Sequence, residues 1–437
     1  MKYAVRISDI INAFSPEPLK ADQMDEFYCA DTMEFRMSDK YCSPMDDIFD
    51  YCRESGGYHA FLLLGHKGCG KSTELNRLSG RFAESGYPVK TIACSLDLDL
   101  FNIVYSDLFI LMGEALLQIA QELNCSLDQD IVCSMERFWQ EQMDTTVLQE
   151  MKSSSVEGGV SAETPGFLAN FLQFFAKIKA DLKFNEETRK EYRRKISARS
   201  SEWIGILGSF AEKIAGKTDG KRPIIIFEDL DKLDPEDAWR VFYQHAASLS
   251  GMPFSVIYTF PIGLSYDGRF SAMEGYFTTK TLPMIKIETI EGQVFEDGVK
   301  VIREVVERRA KLDLFEVDVL DRLIRYTGGS LRELFRAINA AAKRAERRNS
   351  ESISGEDAGR ALEELKTTLT RRIEKKDYNF LQNIHQGNKE LIQDREMLLK
   401  MLQASVVLEY NGKRWHNVHP LVAEFLEEQG PMCDGRT

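Results

Sequence analysis

The chain has 437 residues, 43% of them hydrophobic and 29% charged, and a formal net charge of −13. This length and composition predict a globular protein of about two to four domains, and the acidic balance disfavours a surface that wraps nucleic acid on all sides. The eight cysteines form no CxxC pair, so the sequence indicates neither a zinc ribbon nor a secreted disulfide framework.

The first part of the chain carries short helical patterns and ends in the breaker Ser55-Gly56-Gly57. We predict that residues 1–57 are an N-terminal extension packed on the body that follows. The N-terminus lacks the apolar block of a signal peptide, and no run approaches the roughly 18 apolar residues that span a bilayer. These features predict a cytoplasmic protein with no membrane partner.

A phosphate-binding loop is the strongest motif in the chain. An apolar strand runs into Gly65-x-x-x-x-Gly70-Lys71-Ser72 and then into an amphipathic helix. Glycines let successive backbone N–H groups face an anion, and the helix adds the positive end of its dipole. Lys71 would reach the β- and γ-phosphates of a nucleotide, and Ser72 would bind Mg²⁺. The predicted nucleotide contacts are Gly65, His66, Lys67, Gly68, Cys69, Gly70, Lys71, Ser72 and Thr73.

The segments after this loop alternate between strand and helix patterns. Residues 87–97 read as a strand, and Asp107 to Asn124 as a long apolar helix. The resulting β-α-β-α order favours a parallel sheet. Lys71 and the next acidic strand, at Glu228, are separated by far more residues than one such unit needs. We therefore predict a helical insertion.

The predicted insertion covers about residues 125–215. Its middle, 153–166, has linker chemistry and is the best candidate for a mobile loop. The helix-like segment 177–199 carries nine Lys or Arg against four Asp or Glu. A solvated helix face would explain this charge, and so would a contact for a partner or for nucleic acid.

A second acidic site follows an apolar strand at 224–227. Such a continuous apolar run is typical of a strand buried on both faces of a parallel sheet. Glu228 and Asp229 then emerge at the carboxyl edge, where open α/β sheets bind ligands. We predict that Glu228 lies on the metal side, with Asp229 beside it as the base that positions the attacking water, and that the metal site consists of Ser72, Glu228 and Asp229. Alternatively, the two acids only cap the strand end.

The remaining sequence predicts two more strands and then mostly helices. Residues 254–260 and 281–287 are β-rich, and 291–360 has helical periodicity typical of a small helical lid. In 361–437, helices precede a hairpin signal at Asn411-Gly412, which suggests a winged-helix unit. The predicted fold class is therefore α/β, a P-loop parallel sheet with a helical lid and a C-terminal winged-helix domain.

Three motifs resemble the AAA+ superfamily over roughly residues 25–430. GHKGCGKSTEL matches Walker A, IIIFEDLDKL matches Walker B, and YTGGSLRELFRAIN is similar to the sensor-2 helix. The chain more closely resembles the STAND-like signalling branch and ATPases related to origin recognition. The resemblance implies an ATPase core at 58–290, ATP and Mg²⁺ as cofactors, Arg332 near the γ-phosphate, and Thr259 as the polar sensor-1 residue.

The acidic pair departs from the family pattern, which has aspartate and then glutamate. Asp229 is one methylene shorter than the usual base, so we expect slow hydrolysis, suited to a switch. An arginine finger would come from a neighbouring subunit, and Arg269 is the candidate by position. The sequence is equally consistent with Arg269 being an ordinary exposed arginine.

The resemblance implies a prokaryotic signalling or defence switch that works as a homo-oligomer or with an effector protein. One alternative is a DNA-binding ATPase of the origin-recognition or transposition type. However, residues 361–430 have a net charge of −1, which disfavours strong binding of this region to the phosphate backbone of DNA. Another alternative is a nucleotide-binding scaffold with negligible turnover.

Overall fold

The computed structural model describes residues 1–37, 43–54, 56–140, 165–387, 389–390, 392–410 and 415–429. A five-stranded parallel sheet forms its centre. The strands are β1 (Ala60–Gly65), β2 (Val89–Ala93), β3 (Ile224–Glu228), β4 (Ser255–Pro261) and β5 (Thr278–Thr281), in the spatial order β2-β3-β4-β1-β5. The parallel sheet predicted from the β-α-β-α order is confirmed.

Strand β4 separates the strand of the phosphate loop from the acidic strand. Leu63 of β1 is in register with Thr259 of β4, and Ile226 of β3 pairs with Ile257. These three strands are apolar and buried along their length, as expected for strands covered on both faces. Because they are parallel, their carboxyl ends meet at one edge, and the loops after β1, β3 and β4 share that edge.

Helices cover the sheet and build the rest of the molecule. Those of eight residues or more are α1 (Pro44–Glu54), α2 (Lys71–Glu84), α3 (Tyr105–Glu122), α4 (Gln129–Trp139), α5 (Pro165–Phe184), α6 (Glu186–Ala198), α7 (Ser200–Ala215), α8 (Glu296–Glu307), α9 (Val319–Tyr326), α10 (Leu331–Arg347), α11 (Gly355–Thr370), α12 (Tyr378–Gln386), α13 (Arg395–Gln403) and α14 (Pro420–Gln429). Among the described residues, none of the helices combines the length and the apolar character that crossing a bilayer requires.

The described part of the predicted insertion is helical, from α4 to α7. The prediction of one helical segment over 177–199 is wrong, because α5 ends at Phe184 and α6 begins at Glu186. Asn185 lies between them and caps α6, its side chain accepting a hydrogen bond from the Thr188 N–H at 3.2 Å. The predicted mobile loop, 153–166, lies outside the described residues except for its last two.

The last strand of the sheet begins earlier than predicted. The sequence suggested a strand over 281–287, but β5 ends at Thr281. Leu282 still donates a backbone hydrogen bond to Leu64, at 2.8 Å, and Pro283 then has no N–H for the ladder. The chain therefore leaves the sheet at this point.

The C-terminal part contains a small antiparallel sheet, β6 (Val407–Tyr410) and β7 (Trp415–Val418), in which Tyr410 pairs with Trp415. The predicted turn, Asn411-Gly412, lies outside the described residues, but the two strands it was expected to join are present. Both strands are buried along their length. The β6–β7 pair therefore packs against the body of the protein.

Candidate functional site

The phosphate loop connects β1 to α2 and makes contact with the start of α10. Gly68 and Gly70 have φ values of +88° and +101°, which favour glycine. A Cβ on Gly68 would lie 2.8 Å from the Cβ of Arg332 and 2.9 Å from the Ser330 hydroxyl. The structure therefore brings Arg332 against the loop, and only glycine at position 68 permits this approach. A position near the γ-phosphate stays a prediction.

Lys71 is buried at the base of the cleft, with 6% of its side chain exposed. Its Nζ donates to the carbonyls of Gly65 at 2.8 Å and His66 at 2.9 Å, and lies 2.9 Å from Oδ2 of Asp231. Burial opposes the charged form, but Asp231 raises the pKa of Lys71 above its usual value. The same pair holds the pKa of Asp231 low despite its burial. Sequence reasoning missed Asp231, although it stands in the EDLD run beside both predicted acids.

Glu228 ends β3 and reaches the beginning of α2. Its burial, together with the charge of Asp229, raises the pKa of Glu228 to about 7, while a hydrogen bond from Ser72 acts in the opposite direction. One buried carboxylate oxygen of Glu228, Oε1, has no hydrogen-bond partner among the described residues. A hydroxyl beside an unsatisfied carboxylate oxygen is the hard oxygen set that Mg²⁺ prefers. Ser72 and Glu228 therefore fit the predicted metal.

Both carboxylate oxygens of Asp229 are engaged. Oδ1 lies 2.5 Å from Nζ of Lys232, and Oδ2 accepts a hydrogen bond from the Ser95 hydroxyl at the end of β2. The backbone of Asp229 is left-handed, with a φ of +72°. The contacts with Ser95 and Lys232 thus hold the side chain of Asp229 in a position that points toward β2. No sequence motif identified Ser95 or Lys232 as partners of the predicted base.

Thr259 lies behind the acidic turn and does not line the cleft. Its hydroxyl accepts a hydrogen bond from the Leu230 N–H at 3.0 Å and donates to the Phe227 carbonyl at 3.3 Å. The side chain is buried at the end of β4. Thr259 therefore contacts the backbone on either side of Glu228 and Asp229. Its side chain does not contact the cleft.

Arg269 lies on the surface, outside the cleft lining. Its guanidinium contacts Asp267 at 2.7 Å, reaches Glu236 at 3.5 Å and lies 4.5 Å from the ring centre of Trp239.

The N-terminal extension supplies one wall of the cleft, which sequence reasoning missed. Leu19 donates its N–H to the Thr73 hydroxyl at 3.3 Å, and its carbonyl accepts from the Asn76 amide at 2.8 Å. Arg36 is 1% exposed and donates to the Pro283 carbonyl at 2.7 Å. The extension is thus fastened to α2, but it carries no motif from which this position could be inferred.

The opposite wall comes from the helical region after the sheet. Arg309 is 4% exposed and donates to the carbonyls of Phe27 at 3.0 Å and Val305 at 2.9 Å. Burial lowers the pKa of Arg309 to about 10. Its guanidinium lies 4.9 Å from the ring centre of Phe335. The cleft thus continues from the phosphate loop into an apolar and cationic end that suits a flat heterocycle.

The side chain of His66 faces away from the cleft, toward β6. Its Nε2 accepts the backbone N–H of Glu409 at 2.8 Å, and the ring is 1% exposed. Burial, with the charges of Lys71 and His416, lowers the pKa of His66 to about 3. Two of the predicted nucleotide contacts therefore point away from the cleft. The side chain of His66 does so, although its carbonyl accepts a hydrogen bond from Lys71. The side chain of Cys69 is buried in the apolar cluster beneath the loop.

The β6–β7 pair also contacts the turn before α10. The Tyr410 hydroxyl donates to the Gly328 carbonyl at 3.0 Å, just before α10. His419 lies 2.9 Å from a carboxylate oxygen of Glu333 in the first turn of α10. The pair is therefore joined to the phosphate loop through His66 and to the turn before α10 through Tyr410, and His419, directly after β7, contacts the first turn of α10.

The parallel sheet and the loop after β1 define this chain as an α/β protein of the P-loop class. No protein-family model matches the chain, and no curated protein matches it in sequence. The chain is similar to a solved Walker-type ATPase of Pyrococcus abyssi, with 14% identity and a TM-score of 0.48 over 95% of this chain and 99% of the other.

Two further solved structures are similar to the chain. Cdc6p of Pyrobaculum aerophilum has 13% identity and a TM-score of 0.39, covering 98% of this chain and 100% of its own. The ORC2 protein of Aeropyrum pernix has 12% identity and a TM-score of 0.38, covering 88% and 92%. Likenesses this distant carry no statement about what the present chain does.

The contact between His66 and β6 predicts a pH effect on stability. Because the pKa of folded His66 lies below that of an ordinary histidine, the unfolded chain takes up the proton first. Stability should therefore fall as the pH drops below about 6.5, by about 1 kcal/mol for this residue at about pH 5.8. Urea unfolding at about pH 7.5 and about pH 5.8 measures this loss in the wild type and in His66→Gln.

The glutamine variant keeps an acceptor for the Glu409 N–H but cannot take up a proton. We expect its loss of stability between the two pH values to be smaller than that of the wild type by about 1 kcal/mol. An equal loss in both proteins would contradict the buried, neutral state of His66.

Proposed function

We propose that this chain binds ATP with Mg²⁺, hydrolyses it slowly, and uses the bound nucleotide to set the position of its lid and its β6–β7 pair. The observation that carries the proposal is the convergence of Lys71, Ser72 and Arg332 at one cleft, with Glu228 hydrogen-bonded to Ser72. A buried ammonium, a hydroxyl and an unsatisfied carboxylate match the needs of a nucleotide phosphate and its metal.

In this proposal each wall of the cleft has a separate task. The loop N–H groups and Lys71 hold the phosphates, and Ser72 with Glu228 holds Mg²⁺, which neutralises charge on the phosphate oxygens when bound. Arg332 neutralises charge on the lid side. The adenine would lie at the apolar and cationic end of the cleft, against Arg309 and Phe335.

Asp229 is the proposed base that orients the attacking water and accepts its proton. Ser95 and Lys232 each hold one of its oxygens, so both compete with the attacking water for the carboxylate and restrain its position. This arrangement supports the expected slow turnover, and it also favours the second candidate, a nucleotide-binding protein with negligible hydrolysis. The rate of hydrolysis distinguishes the two.

The contacts of the β6–β7 pair support a switch. The pair is connected to the phosphate loop through His66 and, by way of His419 directly after β7, to Glu333 of α10. A shift of the loop or of α10 would therefore change the position of the pair. In this proposal 291–360 is the lid and 361–437 the unit that moves with it, as a winged helix. A role in prokaryotic signalling or defence, with an oligomer or an effector, remains the prediction of the family resemblance.

The structure gives DNA binding less support than a switch. Much of the basic charge in α6 is used within the chain: Arg193 binds Asp107 and Asn102, and Arg189 donates to the Leu182 carbonyl at 3.2 Å. The strands β6 and β7, which would form the wing, are buried.

Lys71→Ala tests the binding site. The change removes the only ammonium at the base of the described cleft that contacts the loop carbonyls, so we expect the affinity for ATP and for ADP to fall at least about 100-fold. Isothermal titration with Mg²⁺ present measures it. Lys90→Ala, which removes a lysine paired with exposed Glu122, is the control and should bind normally. Unchanged binding in Lys71→Ala would reject the assignment.

Asp229→Asn and Ser95→Ala together test the base. The first change removes the proton acceptor, so kcat should fall about 100-fold or more while ATP still binds. The second frees one oxygen of Asp229, so kcat should rise severalfold. Steady-state phosphate release measures both. If neither variant differs from the wild type, Asp229 is not the base, and a wild-type rate equal to background would favour the binding-only alternative.

A further inference from the structure

We propose that Asp231 sets the preference of the site between ADP and ATP, by occupying the donor of Lys71 that a γ-phosphate would need. The inference rests on the proposed function, because it concerns the same nucleotide site. It adds a residue that discriminates between the two nucleotides and a physical difference between the two bound states.

The three protons of the Lys71 ammonium already have acceptors. Two go to the carbonyls of Gly65 and His66, at 2.8 and 2.9 Å, which belong to the phosphate loop itself. The third faces Asp231, at 2.9 Å, on the other side of the cleft. A new acceptor must therefore displace one of these three, and Asp231 is the only one that is not part of the loop that presents the lysine.

Asp231 is held firmly where it is. It lies in a short 3₁₀ turn, Leu230–Lys232, directly after the acidic strand. The Leu230 N–H donates to the buried Thr259 hydroxyl at 3.0 Å, which fixes the start of this turn to β4. The Asp231 side chain is 10% exposed. The carboxylate is thus a fixed feature of the cleft, and water has little access to it.

The chemistry of the two nucleotides makes them differ at this point. The N–H groups of a phosphate loop cradle the α- and β-phosphates, and its lysine reaches the β- and γ-phosphates. The γ-phosphate therefore extends toward the acidic strand and competes with Asp231 for Lys71. ADP has no γ-phosphate, and its β-phosphate needs only one proton of Lys71, so it can displace a loop carbonyl and leave the ion pair in place. ATP must break the pair and then lies beside a carboxylate of like charge.

This competition would also give the switch two distinct states. With the site empty or holding ADP, Lys71 and Asp231 join β1 to the turn after β3. With ATP bound, the ion pair between Lys71 and Asp231 is broken. The turn beside Asp229 then keeps only its contacts with other residues. The ion pair is thus a physical link between the identity of the nucleotide and the position of the proposed base.

The test compares affinities in the full chain. Dissociation constants for ADP and for the β,γ-imido analogue of ATP are measured by isothermal titration with Mg²⁺, so that turnover plays no part. Asp231→Asn keeps the shape and an acceptor but removes the charge. We expect its preference for the ATP analogue over ADP to rise about tenfold or more relative to the wild type.

Two further variants act as controls. Asp231→Glu keeps the charge and should keep the wild-type ratio within about threefold. Asp321→Asn removes a partly buried carboxylate paired with Arg303 outside the cleft and should also leave the ratio unchanged. Should Asp231→Asn fail to fold, judged from its thermal unfolding, Asp231→Ser takes its place in the same measurement.

A ratio in the uncharged variant that stays within about twofold of the wild type would overturn the inference. An equal gain for both nucleotides would overturn it too, because Asp231 would then oppose phosphates in general. These outcomes leave the proposed function standing. A wild-type chain that binds neither nucleotide would instead remove the proposed function, and this inference with it.

Discussion

The ion pair between Lys71 and Asp231 joins two segments that the sheet keeps apart. Lys71 follows β1 and Asp231 follows β3, with β4 between these strands. Their meeting requires that all three strands run parallel and end at one edge. Burying two charges costs free energy of solvation, even at a separation of 2.9 Å between opposite charges. The buried apolar side chains of the strands supply the stability that offsets this cost. The rest of the cleft is arranged around this pair.

The walls of the cleft come from distant parts of the chain, and close backbone approaches hold them together. Gly68 permits the start of α10 to rest on the phosphate loop, and Gly329, with a φ of +81°, permits the turn before α10 to lie against Ile285. A Cβ on Gly329 would lie 2.0 Å from the Ile285 carbonyl oxygen. Since side chains would separate these surfaces, the glycines keep the start of α10 against the phosphate loop.

The phosphate loop and the acidic strand could be predicted because each combines a local motif with a local pattern. Gly70-Lys71-Ser72 follows an apolar run, and Glu228 follows another, so both strand ends are visible in the sequence. The position of Arg332 was implied by the resemblance of residues 326–339 to a sensor-2 helix, which Ser330 caps in the structure. These features depend on short-range chemistry, which a sequence displays directly.

The missed residues act through long-range contacts. Arg36 and Leu19 belong to a segment without periodicity, and only the folded chain shows that they line the cleft. Ser95 holds Asp229 because β2 and β3 are neighbours in the sheet, which strand patterns alone do not reveal. The outward direction of His66 depends on where β6 docks. Asp231 had a visible signal in the EDLD run, but its role depends on the distance to Lys71.

The central claim is that the state of the nucleotide site is transmitted to the β6–β7 pair through the phosphate loop. Hydrogen–deuterium exchange at the Glu409 amide tests this most directly, because that N–H donates to His66. The account predicts that its protection in the presence of Mg²⁺ and the imido analogue of ATP differs from its protection with ADP. Equal protection with both nucleotides, each bound to saturation, would contradict the account.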